Sequence, residues 1–428
     1  MRDFFSKHHE FIANVAVLIS GRTTAALIAL FTTPIVARLF SPGDFGVAAI
    51  FAAIVGIAAN AASLRYEAAI ALPPEEAEAK ALMALAYRVM FVVCLILLLV
   101  IGAYEVAGRE LPAVESLGPW KWFLPIGVLL LGGLHIQESW LTRLRSFKVA
   151  SASLVVGNSV TSVTRIVLGT LFGSTVHGLV IGFLLGKASH AAAQRTASIE
   201  GLRAAFRPMG WQAIREIAHR YADFPKFNAP AGLIFAIGQN LPVLLFGTMF
   251  SPAIAGLYEM ANRLSQVPTT IVAASMRRAF LQKAAAIHSA GRGILKAFLL
   301  STAGLTLLGV VPFGCVWLFG QELLLLLLGD RWLVAGQYVE IMAPWLLSVW
   351  IAAPCSAVFI VLRQQRFFLI RQSALTVLRL CAFGGAFVVG ADPIWTLHAF
   401  VGVTVIANLL TIVSAIALIL RHQGEAAG

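Results

Sequence analysis

Residues 81–104 read ALMALAYRVMFVVCLILLLVIGAY, and Arg88 is the one charged residue among them. A helix of about 20 apolar residues is long enough to cross the ~30 Å hydrocarbon core of a bilayer. This run therefore predicts a transmembrane helix.

Eleven further runs of this kind follow or precede it. All twelve predicted spans lie at 14–39, 45–70, 81–104, 121–142, 150–172, 176–193, 228–248, 253–275, 297–319, 338–362, 367–389 and 394–420. Charged residues make up 12% of the chain and hydrophobic residues 59%, whereas a soluble domain carries roughly 25% charged residues. We therefore predict an all-α polytopic membrane protein with about twelve transmembrane helices.

Basic residues are distributed unevenly between the predicted spans. With the N-terminus inside, 21 of the 32 lysines and arginines fall in inner segments, and three fall in outer segments: Arg109, Lys121 and Arg331. Cytoplasmic loops carry such an excess of basic residues. We predict that both termini are cytoplasmic, and this topology accounts for the net charge of +12 without a nucleic-acid partner.

A short motif occurs twice. Phe40-Ser41-Pro42 with Gly46 recurs as Phe250-Ser251-Pro252 with Gly256, at an offset of 250 − 40 = 210 residues. Each copy joins an odd-numbered span to the next one, so the repeat predicts two six-helix lobes related by a pseudo-twofold axis along the membrane normal. We predict lobes at 1–193 and 227–428.

The segment 194–226 joins the predicted lobes and is basic. Trp211, Ile214, Ile217, Ala218 and Tyr221 recur in it at helical spacing. This pattern is typical of an interfacial helix on the cytoplasmic surface.

No pattern in the sequence indicates catalysis or a metal site. Walker, HExxH, GxSxG and CxxC motifs are absent, and the outer loops are short. We therefore predict a transporter with no catalytic residues, no metal and no cofactor. The alternative from another class is a membrane-embedded sugar polymerase, which would need larger outer loops with paired catalytic groups.

Several ionisable residues lie inside the predicted spans, where a charge costs at least ~2.5 kcal/mol on insertion scales. The deepest are four arginines, Arg22, Arg165, Arg263 and Arg379. Arg263 has one acidic residue nearby in sequence, and the other three have none. Arginine keeps its charge when desolvated and binds phosphate bidentately. These residues predict a cavity for an anionic substrate, although buried structural ion pairs are the alternative interpretation.

Other polar residues in the spans have less specific interpretations. Glu259 is four residues before Arg263 and can pair with it on one helix face, whereas Arg65 and Glu67 are two apart and would not face each other on a helix. We interpret Arg65, Arg88 and Lys187 as cations that reach toward the ends of their helices. Glu67, Glu259 and Asn240 are candidates for ion coupling or ion pairing, and Glu138 is a further acidic residue at depth.

Seven motifs resemble those of Wzx-type polysaccharide flippases, which belong to the multidrug/oligosaccharidyl-lipid/polysaccharide exporter superfamily. The motifs cover both halves of the chain in the family's order, and after about Gly291 only the hydropathy is similar. They are Phe40-Ser41-Pro42-Gly43-Asp44-Phe45-Gly46, Ser63-Leu64-Arg65-Tyr66-Glu67-Ala68-Ala69-Ile70-Ala71-Leu72-Pro73, Thr142-Arg143-Leu144-Arg145-Ser146-Phe147-Lys148, Asp223-Phe224-Pro225-Lys226, Gln239-Asn240-Leu241-Pro242, Gly256-Leu257-Tyr258 and Asn262-Arg263-Leu264-Ser265-Gln266-Val267-Pro268.

The resemblance implies a fold and a cargo. The implied fold is two six-helix lobes around a central cavity in the bacterial inner membrane, working by alternating access. The implied cargo is an undecaprenyl-diphosphate-linked oligosaccharide for O-antigen, capsule or exopolysaccharide. By motif match, Arg65, Glu67 and Arg263 are family positions, and Arg65 joins the four deeper arginines as a candidate for binding the diphosphate. The assignment of Arg22, Arg165 and Arg379 comes from membrane depth alone.

The expected partners follow from the same resemblance. They are the lipid-linked oligosaccharide, membrane lipid and a polysaccharide polymerase, and we expect a monomer driven by a proton or sodium gradient. Two related transporters are alternatives: a cation-coupled multidrug antiporter, which should carry carboxylates deep in its first lobe, and a flippase for the peptidoglycan precursor, which typically has fourteen spans.

Overall fold

The computed structural model describes residues 2–108, 112–173, 175–206, 210–290, 292–362 and 364–427. Arg109, one of the predicted outer cations, lies outside them. Within the described residues the secondary structure is helical and contains no strand. The long helices are α1 (Arg2–Leu39), α2 (Pro42–Ala62), α3 (Glu76–Val106), α4 (Leu124–Arg143), α5 (Phe147–Leu171), α6 (Val176–Ala205), α7 (Ala229–Met249), α8 (Pro252–Ser289), α9 (Leu295–Leu328), α10 (Leu333–Ile351), α11 (Gln365–Val388) and α12 (Pro393–Ala427).

Each predicted span overlaps one of these helices, and the tenth span also includes the short helix Cys355–Val361. Nine helical segments of the described chain are long and apolar enough to cross a membrane. The all-α polytopic fold class is therefore confirmed. The count of twelve spans and the cytoplasmic location of both termini stay predictions.

A capping box begins α2. The Ser41 backbone N–H donates to Asp44 Oδ2 at 3.1 Å, and the Asp44 backbone N–H donates to Ser41 Oγ at 3.2 Å. Pro42 occupies the first helical position, where its missing N–H costs nothing. The second copy of the motif begins α8 in a similar way, because the Ile254 N–H donates to Ser251 Oγ at 3.3 Å.

The helix boundaries repeat with the sequence motif. α1 ends at Leu39 and α7 at Met249, while α2 begins at Pro42 and α8 at Pro252. Both pairs are 210 residues apart, since 249 − 39 and 252 − 42 give the same value. The offset predicted from two short motifs therefore corresponds to equivalent helix ends.

The two copies of the motif also pack against each other reciprocally. A Cβ atom on Gly46 would lie 1.6 Å from the Pro252 carbonyl oxygen, and one on Gly256 would lie 1.9 Å from the Pro42 carbonyl oxygen. Only glycine permits so close an approach of two backbones. A reciprocal contact between equivalent residues is what a local twofold relation produces.

The end of α2 differs from the prediction. The helix stops at Ala62 rather than at residue 70, and Leu64 and Arg65 have positive φ angles of 49° and 63°. A 3₁₀ turn, Tyr66–Ala69, follows. Apolar residues such as Ile70 and Leu72 extend the hydropathic run past the helix end, so hydropathy alone placed the boundary too late.

The chain divides into two compact units, Met1–Gly256 and Leu257–Gly428. Large buried side chains of the first unit include Phe51, Leu82 and Trp140. In the second unit, a cluster of buried side chains joins the C-terminal part of α8 to α9, to Cys355–Val361 and to α12. The lobe boundaries predicted at 193 and 227 stay a prediction.

A kink interrupts α9 in the second unit. Phe319 has non-helical angles, φ −130° and ψ 19°. Glu340 of α10 accepts hydrogen bonds from the Gln321 backbone N–H at 2.9 Å and from Gln321 Nε2 at 2.8 Å. No sequence motif marks Glu340, whose carboxylate satisfies a backbone donor next to the helix break.

Trp211–Arg220 in the predicted linker form a helix, here called the linker helix. Its location at the cytoplasmic membrane surface stays a prediction. Arg220 pairs with Glu78 of α3 at 2.6 Å, and the Tyr221 hydroxyl donates to the same carboxylate at 3.3 Å. Burial, together with the charge of Glu78, raises the pKa of the Tyr221 phenol, so the group stays a donor. Trp211 is exposed at the other end of the helix.

The close contact of Gly46 with the Pro252 carbonyl predicts how an added methyl group changes the stability of the protein. We expect Gly46→Ala to lower the stability of the purified protein by about 1–3 kcal/mol, because the new Cβ overlaps the Pro252 carbonyl and the backbones must separate. The measurement is thermal unfolding in detergent.

Gly43→Ala is the matched control. Gly43 lies in the same helical turn, but its added Cβ would meet only Ser41 Oγ, at 3.7 Å. Equal melting temperatures for the two variants would contradict the assignment of Gly46 to a close backbone contact.

Candidate functional site

Close packing of α1 on α5 places Arg22. A Cβ on the preceding Gly21 would lie 2.4 Å from Ser151 Cβ, and further along the two helices the Thr32 and Ser162 hydroxyls are 2.9 Å apart. Small residues therefore fix the rotation of α1 about its axis. Arg22 itself is exposed in the protein structure, although it lies far inside a predicted span.

Small residues also hold α5 against α6 and so place Arg165. A Cβ on Gly182 would lie 2.7 Å from Arg165 Cγ, and one on Gly186 would lie 1.8 Å from Thr161 Oγ1. Gly182 and Gly186 are four residues apart, the spacing typical of closely packed membrane helices. The aliphatic part of Arg165 thus packs across the α6 backbone.

Lys187 follows Gly186 and lies in the same region. Its Nζ is 5.6 Å from the centre of the Phe183 ring, and it interacts electrostatically with Arg165 and with Glu138 of α4. The prediction that Lys187 reaches toward a helix end was wrong, because its Nζ lies over the Phe183 ring of its own helix. Its ammonium group belongs to a group of charges between helices.

Glu138 completes this group. Arg22 and Lys187 both act electrostatically on its carboxylate. We call Arg22, Arg165, Lys187 and Glu138 the cationic cluster. It comes from four helices of the first unit, and its three cations outnumber its one carboxylate. Arg22 and Glu138 are exposed, and exposed charges at membrane depth usually face water rather than lipid.

A second polar group lies where α2 ends, in residues 63–69, called the α2 turn. Arg65 pairs with Glu67 at 3.4 Å, and Ser63 Oγ donates to the Glu67 carboxylate. The expectation that Arg65 and Glu67 would not face each other was wrong. It assumed a helix, whereas the left-handed backbone at Arg65 turns its side chain toward the carboxylate.

Neighbouring segments hold the α2 turn in place. Arg143 at the end of α4 donates to the carbonyls of Ile70 at 3.3 Å and Pro73 at 2.6 Å. The Tyr66 hydroxyl donates to the Ala218 carbonyl of the linker helix at 3.3 Å. The basic turn after α4 is therefore part of the packing of this region.

The polar residues of α7 face α2 in the first unit. Asn240 Nδ2 donates to the Ala236 carbonyl of its own helix at 2.8 Å and lies next to Gly56. One turn after Gly56, Asn60 lies against Gly232 of α7, and Arg65 contacts the same glycine. Asn240 is thus a packed amide that uses one of its two N–H donors within its own helix.

The second unit holds the remaining predicted site residues on α8 and α11. Glu259 acts electrostatically on Arg263 one helical turn away. Arg379 is half-buried, and its Nε is a buried atom without a hydrogen-bond partner in the described part of the chain. Arg371, one of the predicted inner cations, instead donates to the Ala407 carbonyl and to Thr411 Oγ1 on α12.

The structure therefore brings Arg22 and Arg165 into one cluster and places Arg65 with Glu67 in another. Glu138 and Lys187 were missing from the predicted site. Their depth in the predicted spans could have marked both residues as site candidates. Only the packing of α4 against α6 shows that the two side chains interact.

These features define a class of protein. Nine segments of the described chain are able to cross a bilayer, and a cluster of charges lies among these long apolar helices. This is the structure of a multi-pass membrane protein. In bacteria such a protein lies in the inner membrane.

Comparisons with known proteins give the family. A family model described as "Polysaccharide biosynthesis protein" matches residues 35–337. The chain belongs to this family. It is 24% identical over 349 residues to the succinoglycan biosynthesis transport protein ExoT of Rhizobium meliloti (strain 1021), across 80% of this chain and 67% of that protein.

Solved transporter structures share the fold. The lipid II flippase MurJ in an inward closed conformation superimposes with a TM-score of 0.73 at 12% identity, across 96% of this chain and 91% of that chain. An inward-facing multidrug resistance MATE transporter of the MOP superfamily gives 0.69 at 14% identity, across 95% of both chains. The predicted fold and the prediction of a transporter are confirmed.

The α2 turn generates a prediction about stability. Glu67 is 3% exposed, so Glu67→Gln should destabilise the protein by about 1–3 kcal/mol, because Arg65 and Ser63 lose a charged hydrogen-bond acceptor. Thermal unfolding in detergent measures the change. The control is Glu75→Gln in the adjoining loop, where the side chain is exposed. An unchanged melting temperature for Glu67→Gln would show that the ion pair adds no stability.

Proposed function

We propose that the protein is a flippase that moves an undecaprenyl-diphosphate-linked oligosaccharide from the cytoplasmic to the periplasmic leaflet. The product would supply synthesis of O-antigen, capsule or exopolysaccharide. The family supports a role in polysaccharide biosynthesis, and the fold supports transport. The choice of cargo depends on the charges inside the protein.

The observation that carries the proposal is the cationic cluster. Three cations and one carboxylate give the first unit a net positive surface at membrane depth. Such a surface attracts anions, and guanidinium groups bind phosphate oxygens in pairs. A diphosphate between a lipid and a sugar carries two negative charges, which matches the excess of two cations.

The second unit offers a further phosphate donor. Arg379 Nε is buried and unused as a hydrogen-bond donor among the described residues, and an unsatisfied buried charged donor is costly. An anionic headgroup would satisfy it. In this proposal, Arg22 and Arg165 bind the diphosphate, Arg379 is a separate anion-binding position of the second unit, and Arg263 stays coupled to Glu259.

Transport would follow from alternating access. The headgroup enters a cavity open to the cytoplasm while the polyprenyl chain remains in the bilayer, and rocking of the two lobes then opens the cavity to the periplasm. The reciprocal contact of Gly46 with Gly256 would lie on the periplasmic side in the predicted topology.

A cation-coupled antiporter is less well supported. Such a protein needs carboxylates available to bind a cation or a proton together with a cationic drug. The carboxylate of the cationic cluster, Glu138, already interacts with two cations, so the surface favours anions.

Two arginine substitutions test the proposal. We expect Arg22→Ala and Arg379→Ala each to reduce polysaccharide export strongly while leaving the amount of membrane-inserted protein unchanged, because each change removes a cation that the proposal assigns to binding of the anionic cargo. Complementation of a deletion strain, with surface polysaccharide and protein level both quantified, is the measurement. Arg203→Ala, at an exposed position near the end of α6, is the control. Normal export in both variants would remove these residues from the site.

A further inference from the structure

α7 packs against α2 along nearly the whole length of both helices. In each close pair a glycine lies against a residue of the other element, and the glycines alternate between α2 and α7. The pairs are Gly46 with Pro252, Ile50 with Gly247, Gly56 with Asn240 and Asn60 with Gly232, here called the α2–α7 seam. Residue numbers rise along α2 while they fall along α7, so the two helices run antiparallel.

Glycine sets how near the two backbones come. A Cβ on Gly247 would lie 2.6 Å from Ile50 Cδ1, and one on Gly232 would lie 2.7 Å from Asn60 Oδ1. Ile50 is fully buried in this contact. Close van der Waals packing of this kind is what holds helices together in a bilayer. The spacing is too short to admit a lipid chain between the two helices.

The α2 turn secures the end of the seam near the linker helix. A Cβ on Gly232 would also lie 3.4 Å from Arg65 Cδ and Nε. In the same turn the Tyr66 hydroxyl donates to the Ala218 carbonyl of the linker helix at 3.3 Å. The chain then passes through the short π-helix Phe224–Asn228 into α7. The α2 turn therefore contacts α7 directly and also holds the segment that leads into it.

The division of the chain into compact units agrees with the seam. The first unit, Met1–Gly256, includes α7, although the sequence repeat assigns this helix to the second half. α2 in turn packs on α4, since a Cβ on Gly127 would lie 2.7 Å from Val55 Cγ2. α7 is thus attached through α2 to the helices of the first half.

We propose that the α2–α7 seam stays closed throughout transport, so that α7 moves with α1–α6. Parting the seam would remove its close contacts along the whole length of both helices together. In a cycle that rocks one sequence repeat against the other, the predicted lobes 1–193 and 227–428 would separate α2 from α7. The lipid chain of a cargo would therefore pass elsewhere than between these two helices. The inference concerns helix movement and does not depend on the diphosphate.

A disulfide across the seam tests the proposal, with the pair Ile50→Cys and Gly247→Cys. An added Cβ on Gly247 would lie 3.1 Å from Ile50 Cγ1, whose place a cysteine sulfur can take. This spacing suits a disulfide, in which the two Cβ atoms lie ~3.8 Å apart. The smaller cysteine at position 50 also removes the methyl group that would overlap the new side chain. The exposed native cysteines, Cys315 and Cys381, are first changed to alanine.

The double variant is reconstituted in sealed vesicles with a fluorescent polyprenyl-diphosphate-linked N-acetylglucosamine, and mass spectrometry quantifies the disulfide. One preparation is assayed both oxidised and after reduction. The oxidised protein should move the probe at the same rate as the reduced protein, because locking a closed seam changes nothing. Loss of transport on oxidation that reduction restores would overturn the inference, and so would failure of the disulfide to form. The two single variants show any effect of the oxidant alone.

A second pair at the other end of the seam serves if the reduced double variant is inactive. Asn60→Cys with Gly232→Cys places two thiols close together, since the added Cβ on Gly232 would lie 2.7 Å from Asn60 Oδ1. A short bifunctional thiol reagent joins them where a direct disulfide does not form. The expected result and the contradicting result are those of the first pair.

The outcomes for the seam and for the proposed cargo are distinguishable. Vesicles in which the wild type does not move the probe would contradict the cargo alone. The seam is then judged in a deletion strain that carries the double variant, with surface polysaccharide made after brief oxidation as the measurement. Undiminished export would support a closed seam, and export lost until reduction would overturn it. This readout needs only the family's role in polysaccharide biosynthesis.

Discussion

The cost of a charge in hydrocarbon is the constraint on which this structure depends. It keeps the long helices apolar and confines most basic residues to segments between them. It also means that the charges that do lie at membrane depth must face water, a ligand or each other. The cationic cluster meets this requirement in part, because Glu138 offsets two of its cations. The remaining positive charge is what makes an anionic headgroup a suitable ligand.

Backbone packing supplies the positions of these charges. Glycine and other small residues bring α1 against α5 and α5 against α6, so that Arg22, Arg165 and Lys187 have defined directions. Small residues also allow close packing in the repeated motif, where Gly46 and Gly256 each lie against a proline carbonyl of the other copy. Small residues are effective here because lipid provides no hydrophobic force between helices, and close van der Waals contact takes its place.

Hydropathy and spacing predicted much of the fold and less of the site. Helices were placed correctly because a bilayer requires long apolar runs. The repeat was visible because the same residue types, Ser41-Pro42 and Ser251-Pro252, stand at the starts of α2 and α8. The end of α2 was misplaced, since left-handed residues at Leu64 and Arg65 have no hydropathic signal. Lys187 was misinterpreted because its neighbours are distant in sequence, and only tertiary packing brings Glu138 to it.

The central claim is that this chain moves a lipid-linked diphosphate sugar across a bilayer, and reconstitution tests it directly. The protein would be incorporated into sealed vesicles that contain a fluorescent polyprenyl-diphosphate-linked sugar, and a membrane-impermeant quencher would be added outside. The account predicts that the wild type exposes the inner-leaflet pool to the quencher over time, whereas Arg22→Ala leaves most of that pool protected. The opposite result would be an inner pool that stays equally protected in vesicles with the wild-type protein and in empty vesicles. If this held under an imposed proton or sodium gradient of either direction, it would contradict the account.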